Sequence, residues 1–520
     1  MSDPSPGGTE DAGYGAQNVA GRGDPRLTSR RLSAALIVAA TLVLFAWAYL
    51  AVSHVDDRYR LDHVSGARMA LAQYFDHGTL YPELYDGEFY GGTRFMPLPI
   101  VLHGLVARLT GEYLVAGKLV SYMATLGLLA TMVLLLQRLR CPFPLALILT
   151  SLVLTTDTGL AGSMNMRADV LPLLLQVLAI GIVANSPRPT ATVGAAALAS
   201  FALFSKLSAV WAPIAIVLWL LTRDRRRLVV FSGGYIIFSG VLLLLFVAVS
   251  DGRILENVFG LSTSGITGLR SVLVAPYRFV HLMVGDATSA WAVVPLAILA
   301  AWVAVRDRKS SLYLVSLICA WGVVLVVLTD VGAGWNQLID LVVLTALVVG
   351  ELAGRKIYLG QRRAATERLM AVGIGFILLW VTLNGSIVTL VPEVQATVTG
   401  EASYPKDPLA AVATSRTSIL SEDPYVPMSL GQVPLVLDPF MLPRLEERQP
   451  DAVPDLIRRI ERHEFDLVVL IEPLEPVDRS WWSELDLGVP VARAISRAYA
   501  YAGSIHGYYL YEPLGSGEAG

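Results

Sequence analysis

Apolar stretches of about twenty residues recur along most of the chain, and this repetition constrains the fold more than any motif does. A stretch of that length crosses a bilayer as one helix, because about 30 Å of hydrocarbon is covered at about 1.5 Å per residue. The stretches lie near 33–53, 113–137, 143–160, 168–185, 190–204, 207–222, 228–250, 287–305, 311–329, 337–353 and 368–391. They predict a polytopic α-helical membrane protein with about eleven transmembrane helices, the fifth and sixth short enough to be tilted or broken. Apolar residues make up 54% of the chain and charged residues 16%, which excludes an ordinary soluble enzyme. A net charge of -3 gives no reason to expect nucleic acid. Cys141 lies beside arginines in a short loop and Cys319 inside an apolar run, so neither a disulfide nor a metal-ligand pair is expected.

Basic residues set the topology. Arg138 and Arg140, Arg188, the run 223–227, the run 306–309 and the segment 355–368 fall in alternate loops, and the positive-inside rule places them in the cytoplasm with Arg30 and Arg31. The opposite face then carries 53–95, 156–168, the region around Ser205, 251–286, 329–337 and everything after 391. Residues 1–31, rich in Gly, Ser, Asp and Pro, read as a disordered cytoplasmic N-terminus. The first span is too long for a signal h-region and reads as a retained anchor. The expected location is a plasma membrane of bacterial type, crossed many times, with the C-terminus outside.

The outside loop 53–95 is long for a plain connection, and long ordered loops usually serve function. It carries Asp56, Asp57, Asp62, Asp76, Asp86 and Glu88 among Tyr59, Tyr74, Tyr81, Tyr85 and Tyr90. Disordered segments are poor in aromatics, so this one reads as folded. Residues 95–109 are apolar but short, with Pro97 and Pro99 in the first turn, which predicts an interfacial or re-entrant helix. The segment 251–286 reads as another interfacial helical segment. After 391 the pattern changes to short β-leaning runs at 418–420, 435–437 and 467–471, with an amphipathic helix candidate at 455–463 and a Tyr-rich stretch at 499–511 suited to a hairpin. Domains are therefore placed at 1–31, at 32–391 for the membrane part and at 392–520 for a small extracytoplasmic α/β domain. No catalytic motif appears in that last domain, which reads as a cap or a docking unit.

Candidate chemistry gathers on the outside face. Lys206 sits between two apolar runs, against the positive-inside trend, with no neutralising carboxylate nearby in sequence. It is either a snorkelling lysine or an anchor for a lipid phosphate. Asp169 has the position of a helix N-cap, and Arg167 can pair with it or with a phosphate. Arg270, Arg278 and His281 belong to the fourth outside loop, and Asn336 to the fifth, where turn chemistry after Gly334 also accounts for it. Most acids of the first loop are solvated charges; one of Asp56, Asp57 and Asp62 is expected to be chemical.

The order of these features resembles the GT-C superfamily of membrane glycosyltransferases, which use polyprenyl-phosphate sugars as protein O-mannosyltransferases and lipid A aminoarabinose transferases do. The resemblance covers most of the chain. It rests on the acidic first loop, then Ala72, Gly78, Leu80 and Tyr81, then Thr93, Arg94, Phe95, Pro97 and Leu98, then Thr110, Gly111, Ala116, Gly117, Lys118, Leu119 and Ser121. Further on come Arg167 with Asp169, Phe204 with Lys206, and Gly334, Asn336 and Asp340. What the resemblance implies is a transferase in which a loop acid acts as general base on the acceptor hydroxyl, giving inversion at the anomeric carbon. The family often shows Asp-Glu before a tyrosine-rich helix upstream of the loop glycine. Asp62 has about that relation to Gly78, with His63 where Glu is usual, and is preferred to Asp57. Asp169 would be the second acid, and Lys206 and Arg94 would hold the leaving phosphate. Implied partners are a polyprenyl-phosphate sugar, a lipid, glycan or protein acceptor, and the membrane. Metal use is open: the loop carboxylates can hold a divalent cation, without a strict ligand pattern.

Three other classes remain. A flippase of lipid-linked sugars predicts charges near the midplane and inverted repeats. An envelope polysaccharide polymerase or ligase predicts outside loops rich in Arg and His. A membrane scaffold explains neither Lys206 nor the acidic loop.

Overall fold

The computed structural model describes residues 25–167, 169–261, 269–285, 293–306, 311–359, 364–401 and 403–515. The tract 1–24, most of the basic run 306–309 and residues 360–363 of the basic segment 355–368 lie outside the described residues. The chain is helical from Pro25 onward, so helix begins before the expected boundary at residue 31.

In chain order the membrane part consists of α1 (Pro25–Ser53), α2 (His63–Asp76), α3 (Pro97–Thr110), α4 (Tyr113–Arg138), α5 (Phe143–Ser151), α6 (Asp157–Met164), α7 (Val170–Asn185) and α8 (Pro189–Ser205). It continues with α9 (Trp211–Leu221), α10 (Arg225–Val249), α11 (Leu269–Gly285), α12 (Val293–Arg306), α13 (Leu312–Val327), α14 (Ile339–Leu359), α15 (Ala364–Gly385) and α16 (Val391–Thr399). Among the described residues five helices are long and apolar enough to cross a membrane, in α1, α4, α10, α14 and the rod formed by α15 and α16. Segments 143–155 and 157–164 make a sixth if their 77° bend is one broken span. The bend is local chemistry. Thr156 caps α6 by accepting from Gly159 N, and a Cβ at Gly159 would sit 1.8 Å from the Val153 carbonyl oxygen.

Helices α7, α8, α9 and α13 are apolar but shorter than a straight crossing. The span expected at 207–222 is helical only over Trp211–Leu221, about 16 Å long. Residues 207–210 form a turn instead, which follows Lys206. The rod of α15 and α16 runs through Thr399, past the boundary expected at 391. Outward side chains of α10 such as Val229, Ile236 and Leu244 are strongly exposed, as a helix facing hydrocarbon requires.

The C-terminal unit adds β1 (Ile419–Ser421), α17 (Tyr425–Ser429), α18 (Leu442–Leu445), α19 (Ala452–Glu461), β2 (Leu467–Leu470), α20 (Val489–Ala498), β3 (Tyr499–Ile505) and β4 (Tyr508–Pro513). The sheet order is β1-β2-β4-β3, with β1 parallel to β2 and the other pairs antiparallel. The Tyr-rich stretch forms the hairpin β3–β4, turning at His506 and Gly507 with φ of 48° and 85°. A two-residue turn with both φ positive matches the twist of the flanking strands. Residues 435–437 are not a strand of this sheet. Val436 bridges Tyr90 of the first loop, and Tyr90 exchanges backbone hydrogen bonds with Leu435 and Leu437 at 2.9 Å.

The first loop is therefore folded between the helices and the C-terminal unit. Its helix α2 packs on α3 and α17. A Cβ at Gly66 would lie 2.6 Å from the Tyr425 backbone nitrogen, so glycine is what lets the two segments meet. Leu437 is fully buried against Leu71, Leu80 and Met96, which ties the C-terminal unit to the loop through a shared apolar cluster.

Candidate functional site: a cationic pocket with an apolar wall

A cavity of about 780 Å³ opens where α2, the 93–96 segment, the start of α7, the end of α8 and the 329–337 loop converge. Its polar end is lined by Arg68, Arg94, Arg167, Asp169, Lys206, Asp330 and Asn336. Its apolar wall comes from Val210 and Ile214 of the α9 region and from Cys319, Val323, Val326 and Val327 of α13.

Helix ends deliver the polar groups. Asp169 precedes α7, yet its side chain caps nothing there. Asp169 Oδ1 instead accepts from Lys206 Nζ at 2.7 Å and from Asn336 Nδ2 at 2.9 Å, and Oδ2 is buried without a partner. Lys206 is the C-cap of α8, so a chain turn places it beside a carboxylate 37 positions away. The sequence left this lysine without a neutralising acid; the tertiary fold supplies one.

Arg94 donates to Asp330 Oδ2 at 2.6 Å. The loop carrying Asp330 is held by Arg278, whose guanidinium donates to the carbonyls of Leu328, Asp330, Val331 and Ala333 at 2.6 to 3.1 Å. Arg167 Nε lies 2.8 Å from Asp62 Oδ2. Asp62 also caps α2, accepting at Oδ1 from the Ser65 amide and hydroxyl, each at 3.0 Å. Arg68, on the buried face of α2, lies over the Phe95 ring at 4.6 Å, and its Nε and Nη1 have no hydrogen-bond partner. Burial pushes its guanidinium down to about 10; Asp169 and Asp62 oppose this and Arg167 adds to it, so it stays charged at neutral pH. Four cations, Arg68, Arg94, Arg167 and Lys206, thus gather here; Asp62, Asp169 and Asp330 pair with three of them, Asp340 and Asp438 lie close by, and Arg68 keeps two donors without a partner. An anion is the group that satisfies such a site.

The cavity brings together Arg94, Arg167, Asp169, Lys206 and Asn336 from the residues singled out in the sequence, with Asp62 one ion pair behind Arg167. Asp57 and His281 lie elsewhere. Asp57 receives hydrogen bonds from the Tyr59 amide at 2.8 Å and Lys118 at 3.3 Å, and pairs with His54 Nδ1 at 2.5 Å. Burial raises its pKa, but these three partners outweigh burial and hold it below the usual carboxylate range. His281 faces outward beside Tyr277, because α11 buries the stripe Ala275, Phe279 and Met283 and turns His281 to the other side. Arg68 and Asp330 escaped the sequence reading. The signal for Arg68 was a lone charge inside the small-residue run 66–72, and for Asp330 an acid at the end of an apolar span.

No protein-family model and no curated protein matches the chain. Solved structures do. ArnT from Cupriavidus metallidurans bound to undecaprenyl phosphate superposes with a TM-score of 0.58 at 14% identity, over 92% of this chain and 98% of that one. Its apo form gives the same score over 91% and 97%. The Archaeoglobus fulgidus oligosaccharyltransferase in complex with zinc and sulfate gives 0.51 at 13% identity, over 91% of this chain and 72% of that one. The chain has the fold of these proteins.

Proposed function

We propose that the protein is an integral membrane glycosyltransferase that moves a sugar from a polyprenyl-phosphate donor to an extracytoplasmic acceptor. The observation that carries this reading is Arg68, a buried guanidinium with unpaired donors at the cationic end of a cavity whose other wall is apolar. That polarity matches an anionic head group on a hydrocarbon tail. ArnT, which has this fold, was crystallised with undecaprenyl phosphate.

In the proposed reaction the acceptor hydroxyl oxygen attacks the anomeric carbon from the face opposite the phosphate. The bond from that carbon to the phosphate oxygen breaks, its electron pair stays on the phosphate, and the anomeric centre inverts. Asp62 takes the hydroxyl proton. Arg68, Arg94 and Lys206 meet the charge that grows on the leaving phosphate, which is where fixed cations lower the barrier most. Asp169 and Asn336 aim Lys206. Asp57 serves the fold instead, since it lies away from the cavity in a network with His54, the Tyr59 amide and Lys118. The donor set does not fit a divalent ion: Asp169 and Asp330 are each neutralised by a cation, and among the described residues no three His, Cys, Asp or Glu side chains converge. The reaction above uses no metal. In this reading the bilayer thins locally around the shorter helices, which complete about eleven spans with the N-terminus cytoplasmic and the first loop and C-terminal unit outside.

The test is transfer of radiolabel from a panel of polyprenyl-phosphate sugars by purified protein in lipid, comparing wild type with Asp62→Asn, Asp57→Asn and Lys206→Ala. One donor consumed by wild type and not by a folded Asp62→Asn variant supports the reading. Movement of labelled lipid between leaflets, with no donor consumed in any envelope extract, contradicts it and favours a flippase.

A further inference from the structure

The C-terminal unit meets the cavity wall at Phe440. Phe440 is buried, and two guanidiniums approach its ring, with Arg94 Cζ 4.3 Å and Arg444 Cζ 3.5 Å from the ring centroid. Arg444 also donates to the Phe440 carbonyl, and the Phe440 amide donates to Asp438 Oδ1 at 3.2 Å, so both ends of this residue are fixed. On the cavity side Arg94 is held by Asp330, and the space for it exists because residue 332 is glycine. A Cβ there would lie 2.3 Å from Arg94 Nη2 and 2.5 Å from Phe440 Cζ. Asp330 fixes Arg94 in one direction only. An arginine with a long stem, held by a single carboxylate in a wide cavity, has rotamers that fold away from the ligand. The ring removes some of them by filling space beside the guanidinium, and its π-face attracts the cation.

We propose that Phe440 is a positioning residue for the donor phosphate, so that the C-terminal unit is a working part of the donor site rather than a separable cap. This rests on the reading that the cavity takes a polyprenyl phosphate. The ring does not touch the ligand; it acts through Arg94. Three features of the fold support an integral role: Tyr90 pairs its backbone with residues 435 and 437, its hydroxyl donates to Asp455 at 2.7 Å, and Leu437 is sealed in the apolar cluster under the first loop.

The experiment measures binding of undecaprenyl phosphate to the full-length protein in nanodiscs, for wild type, Phe440→Leu, Phe440→Met, Arg94→Ala and the Phe440→Leu/Arg94→Ala double variant. Leucine and methionine both keep apolar bulk and remove the π-face. The expected result is about three- to tenfold weaker binding for each of the two. In the Arg94→Ala background, Phe440→Leu should add no further loss. Wild-type affinity in Phe440→Leu overturns the proposal, and so does an equal loss in both backgrounds, which is the mark of a general structural role. Loss of folding in Phe440→Leu leaves Phe440→Met to decide, where wild-type affinity in a folded protein overturns it. Failure of the underlying reading is separate and visible: wild type itself does not bind the phosphate.

Discussion

Two lysine–aspartate pairs of the molecule look alike in composition and behave as opposites. Lys118 and Asp57 join α4 to the start of the first loop, and every charged atom there has a partner: Lys118 Nζ donates to the His54 carbonyl and to Asp57, and Asp57 also meets His54 and the Tyr59 amide. Lys206 and Asp169 join α8 to α7, and their surroundings stay unfinished, with Asp169 Oδ2, Arg68 Nε and Arg68 Nη1 all buried and unpartnered. Buried polar groups are nearly always satisfied in folded proteins, so an unfinished set marks where something else is meant to bind. The first pair joins the loop to α4, and the second lines the cavity. Burial alone does not separate the two: the unmet groups beside the first pair are the neutral hydroxyls of Tyr59 and Tyr122, whereas those beside the second belong to charged side chains.

The largest effect that would sharpen this contrast is on turnover. Asp62→Asn should cut transfer by about 10²- to 10⁴-fold while leaving undecaprenyl phosphate binding and the melting temperature near wild type. An Asp57→Asn protein that is inactive yet melts normally would break the comparison. The next effect separates stability from binding. Lys118→Met strips the cation from Asp57 and should cost about 3 kcal/mol or more in unfolding free energy. Arg68→Met removes a buried cation that has no hydrogen-bond partner on two of its nitrogens. It should leave the melting temperature level or higher, yet weaken phosphate binding by about tenfold or more. Denaturation and binding curves on the same samples decide it.

A third prediction uses the thiol of the apolar wall. Cys319 lines the cavity and Cys141 is buried outside it. Labelling of Cys319 by a membrane-permeant maleimide should slow several-fold when undecaprenyl phosphate is present, with undecaprenol protecting less. Equal protection by both would mean that the tail binds without help from the cations.

The smallest effect concerns the C-terminal unit. Burial pushes the Glu422 carboxyl up to about 7, although it accepts from the Ile471 amide and the Trp481 indole. Burial and the neighbouring Glu422 push Asp486 well above its ordinary range. A carboxyl raised by folding stabilises the fold when protonated. This contribution is complete below the ordinary glutamate value near 4.5 and is lost as pH rises through about 7. Asp57 has the opposite sign: its contribution is present above 3.8 and disappears as pH falls below that. Melting of the protein should therefore rise modestly from pH 8 to pH 5, and Glu422→Gln should flatten the rise. A fall over that range would contradict the assignment.

Much of this was legible in the sequence, for physical reasons that also explain the rest. The apolar runs located the helices because hydrocarbon tolerates little else at that length, and Pro97 and Pro99 marked the start of α3. Lys206 and Asp169 stood out because membrane-edge charges are costly. Their pairing was not visible, since a contact 37 positions apart leaves no local trace. Arg68 sits in a run of small residues whose period is shared by any amphipathic helix, so its burial follows only from the packing of α2 on α3 and α17. The 435–437 run has the composition of a strand and serves instead to clasp Tyr90, because its pairing partner is in the first loop rather than in the sheet.

The central claim is that the unfinished cationic pocket holds a lipid phosphate. The most direct measurement is equilibrium binding of undecaprenyl phosphate and of undecaprenol to wild type and Arg68→Met in nanodiscs at two salt concentrations. The account predicts that wild type prefers the phosphate strongly, that salt weakens this preference, and that Arg68→Met loses most of it while remaining folded. Equal binding of the two lipids by wild type, or an undiminished preference in Arg68→Met, would contradict it.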